Sequence, residues 1–254
     1  MQPIDLAEVR EYVNNTIGEF HRRKARSLEE LRLERLLTKN PYLFRAKNLS
    51  TAHDLIISLL DAFLSSSEEK LFGDFLEDLA IFIAERTTGG HKSSAPGIDL
   101  EFSDRGVYYL VSIKSGPNWG NSSQHRRLEQ DLRDAATRLK QSRRTANVQP
   151  VLGICYGKTR TAHLRGYLKV VGQNFWCLIS DNRQLYTDII EPIGYRAREH
   201  NDAFYEARSR VVNRLTREFI EKFCAADGSI DWVRLVEFNS GNYDLDAFKF
   251  QPPT

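Results

Sequence analysis

The sequence predicts an α/β sandwich: a small mixed β-sheet flanked by helices. Three observations carry this. Ile98, Leu100 and Phe102 alternate with Asp99 and Glu101, and Val107–Lys114 runs back across a polar turn, the pattern of a half-buried hairpin. Val148–Tyr156 is almost continuously apolar, as in a strand covered on both faces. Helical segments precede, separate and follow these strands, an order that suits a sheet layered with helices.

In chain order, residues 4 to about 37 read as helical, with Leu6, Val9, Val13, Ile17 and Phe20 at helix spacing. The basic run His21–Arg26 either meets phosphates or forms a solvated helix end. Ser27 with Glu30 offers a capping box, and Asn40-Pro41 is expected to stop that helix. A second helix is expected over 51–64. SSSEE at 65–69 should start a third, with Ser as N-cap and acids in its first turn. On that third helix Phe72, Phe75, Leu76, Leu79, Ala80 and Ile83 form a core-facing stripe.

After the hairpin comes the loop SGPNWGNSSQ (115–124), then a helix over 125–142 carrying Arg126, Arg127, Arg133, Arg138 and Lys140, extended by Arg143 and Arg144. Its basic side suits phosphate tracking, while Leu128, Leu132, Ala135 and Leu139 give it a core face. Gly166–Ile179 is expected to add one strand or two. The intervening GKTRTAHLRG is basic and lacks the GxxxxGK[ST] pattern of a nucleotide-binding loop. Helices close the chain at about 184–193, 202–225 and 229–238. Three regions are expected in one compact unit: helical 1–64, sheet-bearing 65–195 and helical 196–254.

Composition narrows the function. The 254 residues are 41% hydrophobic and 28% charged, ordinary for a soluble protein. A net charge of +2 provides no global attraction to nucleic acid, so DNA affinity must come from local patches. No apolar run approaches a membrane span and MQPIDLAEVR has no signal-peptide core, so a cytoplasmic protein is expected, with no membrane partner. Cys155, Cys177 and Cys224 form no CxxC pair and are expected to be buried free thiols. The six histidines show no HExxH, HxH or HNH-like grouping.

The chemistry concentrates in the hairpin. With the turn centred on Asp104-Arg105, Asp99 would lie opposite Leu110. Asp99, Glu101, Ser112 and Lys114 would then share one face, with Val111 and Ile113 directed into a core. An acid beside a Ser-x-Lys strand can serve one divalent metal and one ammonium next to a phosphodiester, the chemistry of a metal-dependent nuclease. Glu77 falls at the edge of its helix stripe beside Gly73, Ala80 and Ala84. These small residues let the helix approach the sheet; Glu77 would then point toward the metal side if the hairpin packs there, or else be a boundary glutamate in water.

These residues resemble the PD-(D/E)XK nuclease superfamily. The match runs in order through helix 68–85, Gly97-Ile98-Asp99, Ser112-Ile113-Lys114, helix 125–142 and strand 148–156. More narrowly, NPYLFRAKN (40–48), GDFLE (73–77), GIDLE (97–101) and SIKSGPNWGNSSQ (112–124) resemble the PmeII-like type II restriction endonucleases. The resemblance implies a restriction-endonuclease-like core over 65–195. It also implies Mg²⁺-dependent, sequence-specific cleavage of double-stranded DNA to 5′-phosphates, by a homodimer on a short site, palindromic or not.

In that scheme Asp99, a further carboxylate and the backbone carbonyl of Ile113 hold the metal, and Lys114 orients the attacking water. Ser112 occupies the slot that is usually a second acid. Glu77, Glu101 and Glu129, in that order, are the candidates to replace it, so Glu77, Asp99, Ser112 and Lys114 form the expected catalytic set. Trp119 and Asn118 either contact a DNA groove or brace their loop. Arg126 and Arg127 are expected on phosphates, Arg160 and Arg165 on guanine edges. A catalytically decayed DNA-binding module and a structure-specific repair or RNA nuclease are the alternatives.

Overall fold

The computed structural model describes residues 1–143 and 147–241. The chain divides into two units. One comprises residues 1–23 and 69–200, the other 24–68 and 201–254. This differs from the expected division into 1–64, 65–195 and 196–254 within one compact unit, and the packing of the first helix explains much of the difference. Helix α1 (Leu6–Glu29) places Val9, Val13 and Ile17 in the same core as Leu79 and Ile83, so the N-terminus joins the sheet-bearing unit.

That unit is built on a six-stranded sheet of order β1-β2-β3-β4-β6-β5. The strands are β1 (His91–Lys92), β2 (Leu100–Asp104), β3 (Val107–Lys114), β4 (Val148–Ile154), β5 (Ala162–Leu164) and β6 (Tyr167–Val171). The β1/β2, β2/β3 and β5/β6 pairs are antiparallel, and β3/β4 and β4/β6 are parallel. The expected mixed sheet flanked by helices is present. Helix α5 (Ser122–Arg143) makes the β3-to-β4 crossover, as parallel neighbours require. One sheet face sets Leu100, Phe102, Val111 and Ile113 against Phe75, Leu79 and Ile83. The other sets Leu110, Leu152 and Ile154 against Leu128, Leu132 and Ala135 of α5.

The hairpin register is offset from the expected one. Leu100 pairs with Val111 and Asp104 with Val107, leaving Arg105-Gly106 as a two-residue turn. Both turn residues have positive φ, 48° and 78°, the conformation that suits the twist of a tight hairpin. Continued one step, this register puts Asp99 opposite Ser112 rather than Leu110. A shift by two residues preserves which side chains share a face.

Other elements correct the sequence reading. Helix α4 runs unbroken from Ala52 to Thr88, through SSSEE. Its serines do not cap a new helix; Ser66 donates back to the Ala62 carbonyl at 3.1 Å, as mid-helix serines do. Likewise α1 passes through Ser27. Asn40-Pro41 opens a helix, α3 (Pro41–Ala46): the Asn40 side chain accepts from the Tyr42 and Leu43 amides and Pro41 takes the first turn. Between these lies the short α2 (Leu33–Leu36). The second half of 166–179 is helix α6 (Gln173–Ser180), not strand, and the short α7 (Leu185–Asp188) and α8 (Ile190–Ile193) follow it. Part of the expected basic loop forms edge strand β5.

The second unit has its own core, in which Leu28, Leu36, Leu55 and Leu60 meet Leu215 and Phe219. Its C-terminal helices are α9 (Ala197–Phe223), which begins in the first unit, and α10 (Trp232–Phe238). No helix among the described residues is long and apolar enough to cross a membrane. Arg144 lies outside the described residues.

Candidate active site

The end of the hairpin assembles a compact polar group. Asp99 Oδ2 accepts the Ile113 amide at 2.6 Å and the Ser112 hydroxyl at 3.3 Å, and the Asp99 amide donates to the Val111 carbonyl at 2.9 Å. Lys114 Nζ lies 3.8 Å from the same carboxylate oxygen. It also donates to the Ile113 carbonyl at 2.9 Å, the backbone oxygen expected to face a metal. Ser112 is buried, with 1% of its surface exposed, whereas Asp99 and Lys114 keep partial access to solvent. A carboxylate at position 112 would be buried against Asp99, where two like charges oppose each other.

Two glycines allow these approaches. Gly97 has φ +74°, and a Cβ there would lie 2.6 Å from Asp131 Oδ2, so the turn before Asp99 fits beneath α5 only without a side chain. After Lys114 the chain passes closely over Tyr156; a Cβ on Gly116 would meet its ring at 2.7 Å.

Glu77 comes to this group from α4. One turn earlier, Gly73 packs against Ser115, the residue after Lys114, with ordinary contact distances of 3.5 Å for an added Cβ. Burial, and next the negative charge of Asp99, push the Glu77 carboxyl above its usual range. Lys92 Nζ, 3.3 Å from Glu77 Oε1, pulls it the other way. The site therefore brings two carboxylates near each other, each beside its own lysine. Sequence reasoning missed Lys92 because β1 is only two residues long and shows no alternation.

Cys155 also sits here, its amide bonded to the Lys114 carbonyl at 2.9 Å. Burial pushes its thiol pKa up, so it remains a neutral wall of the site. The cysteines are free as expected, but Cys177 and Cys224 are only half-buried.

Other expected site residues fall elsewhere. The Glu101 carboxylate accepts Ser93 Oγ at 2.5 Å and Tyr108 OH at 2.6 Å. Glu129 lines a separate cleft with Arg133 and Tyr167. Trp119 packs its ring on His125 with centroids 4.2 Å apart, and Lys114 Nζ is 5.8 Å from the Trp119 centroid. Asn118, Arg126, Arg127, Arg160 and Arg165 are exposed; Arg127 pairs with Asp131 at 3.8 Å. The basic run in α1 is largely neutralised, through Arg22–Glu19, Arg23–Asp74 and Lys24–Glu68.

The donors fit a hard divalent cation. Two carboxylates and a backbone carbonyl are oxygen ligands, and Mg²⁺ typically takes one or two protein carboxylates and keeps several waters. No cluster of three or more His, Cys, Asp or Glu side chains suited to a metal occurs among the described residues.

A mixed sheet between helices, with an acid and a lysine at the end of its hairpin, is the architecture of the restriction-endonuclease-like class. Within that class, the family model for type II restriction endonuclease EcoO109I matches residues 7–201. The matched span covers well over half of the chain, and the protein belongs to this family of restriction endonucleases. Its substrate class is accordingly DNA. A comparison with curated proteins finds no match.

Proposed function

We propose that the protein is a Mg²⁺-dependent type II restriction endonuclease of PD-(D/E)XK chemistry. It cleaves double-stranded DNA at a short specific sequence and leaves 5′-phosphates, acting as a homodimer. The observation that carries this is the convergence of Asp99, Ser112, Ile113 and Lys114 at the hairpin end with Glu77 opposite. The resemblance of residues 40–48, 73–77, 97–101 and 112–124 to PmeII-like enzymes supports it as well.

Asp99, Glu77 and the Ile113 carbonyl would hold the cation, which would supply Lewis-acid polarisation of the scissile phosphate and lower the pKa of the attacking water. Asp99 is oriented for this by the Ile113 amide and the Ser112 hydroxyl. The Lys114 ammonium leaves the Ile113 carbonyl to position the water and offset charge developing on the phosphoryl oxygens. Ser112 supplies no carboxylate, and Glu77 takes that place from α4. Glu101 ranks below it because Ser93 and Tyr108 already engage its carboxylate, and Glu129 ranks third.

Incubation of a mixed-sequence plasmid with the protein tests the proposal. Discrete Mg²⁺-dependent fragments are expected. Smearing or junction-dependent nicks would indicate a structure-specific nuclease, and salt-dependent binding without cleavage would indicate a DNA-binding module.

A further inference from the structure

A cleft of about 420 Å³ lies between the second half of α5, the start of β4 and the β5–β6 turn. It brings together two basic features that are far apart in sequence. Arg133 and Lys140 lie seven residues apart, two helical turns, on one side of α5. Arg165 comes from the two-residue turn between Leu164 and Tyr167, where Gly166 has φ +88°. Glu129 is the one carboxylate lining the cleft, so three basic side chains face one acid. None of the three cations makes an ion pair among the described residues, although Glu129 precedes Arg133 by one helical turn. By contrast, Arg127 on the same helix is paired with Asp131. Leu164 and the buried Tyr167 add apolar lining.

The cleft is separate from the Asp99–Lys114 group. Lys114 pairs with Ile154 at one end of β3/β4, and Tyr108 pairs with Val148 at the other. Six residue steps along the strand separate these ends, about 20 Å at the usual rise.

The geometry points to a second, phosphate-binding site at this cleft, formed by Arg133, Lys140 and Arg165. Concave, unneutralised guanidinium groups hold phosphate oxygens bidentately, and an ammonium adds a point charge. The phosphates come either from the backbone of bound DNA or from a free nucleotide. The DNA source rests on the endonuclease reading above; the free source does not.

The test uses the full-length protein and the pair Arg133→Gln/Arg165→Gln, with Arg133→Lys/Arg165→Lys as the charge-conserving control. The first arm is equilibrium binding to a long duplex over a range of salt concentrations. The second is calorimetry with inorganic pyrophosphate and a deoxynucleoside monophosphate. With DNA as the source, the Gln pair binds duplex about tenfold more weakly, its log–log salt slope is shallower by about two, and the Lys pair retains most affinity. With a free phosphate as the source, the wild type binds pyrophosphate or the nucleotide and the Gln pair does not. The inference is overturned if the Gln pair, folded by circular dichroism, matches the wild type in both arms. A wild type that neither binds nor cuts DNA would end the endonuclease reading, and the calorimetric arm would then decide this one.

Discussion

The Ser112 hydroxyl donates to Asp99 Oδ2 at 3.3 Å, on the oxygen that also accepts the Ile113 amide at 2.6 Å. Ser112 thus helps to hold the Asp99 carboxylate in place. Ser112→Ala should cost about 1 kcal/mol of stability, the net worth of a typical hydrogen bond. The retained Ile113 amide bond keeps Asp99 roughly oriented, so cleavage should fall less than it does on removing Asp99 itself. Thermal melting and single-turnover cleavage together check this; an unchanged melting temperature with full activity would refute it.

Glu77 should show itself through pH. Its folded-state pKa lies above the ordinary glutamate value, chiefly from burial and then from Asp99, so the native state binds this proton more tightly than the unfolded chain does. The contribution to stability is present below the usual glutamate pKa and is lost as pH rises through the raised value. Glu77→Gln removes that slope in the metal-free protein. The same variant should need at least about tenfold more Mg²⁺ for half-maximal cleavage, given what perturbing even indirect metal contacts costs. Melting curves across acid pH and an Mg²⁺ titration measure the two effects.

Glu101→Ala separates the competing carboxylates. It removes the acceptor for Ser93 and Tyr108, so the melting temperature should drop. The Mg²⁺ concentration for half-maximal cleavage should stay near the wild-type value. A large rise would transfer the ligand role from Glu77 to Glu101.

Gly97→Ala tests the turn that delivers Asp99. At φ +74° with Asp131 in the way, the change should cost about 1–3 kcal/mol and lower cleavage by displacing Asp99. Chemical denaturation measures the first and cleavage assays the second.

Much of this site is written in local pattern. The two-residue period of Ile98–Phe102 gave the correct shared face for Asp99 and Ser112, even though the turn is Arg105-Gly106 and the register differs by two. Gly73, one turn before Glu77, lies beside Ser115, where an added Cβ would make ordinary contact at 3.5 Å. Longer-range features left no such trace. SSSEE carries good capping residues, yet burial along Ala52–Thr88 overrides them. Phe175–Ile179 is a short apolar run whose periodicity does not separate strand from helix. Lys92 reaches Glu77 only through the pairing of β1 with β2, and Arg165 lines the same cleft as Arg133 only because β6 lies beside β4.

The most direct measurement is digestion of a mixed-sequence plasmid by the wild type, Asp99→Asn and Lys114→Met, each with Mg²⁺ and with a chelator. Discrete fragments with 5′-phosphate ends are expected from the wild type in Mg²⁺ and none with chelator. At least about a hundredfold loss is expected in each variant, with folding and DNA binding retained. Undiminished cleavage by either variant, or wild-type cleavage that persists in chelator, would contradict the proposed mechanism.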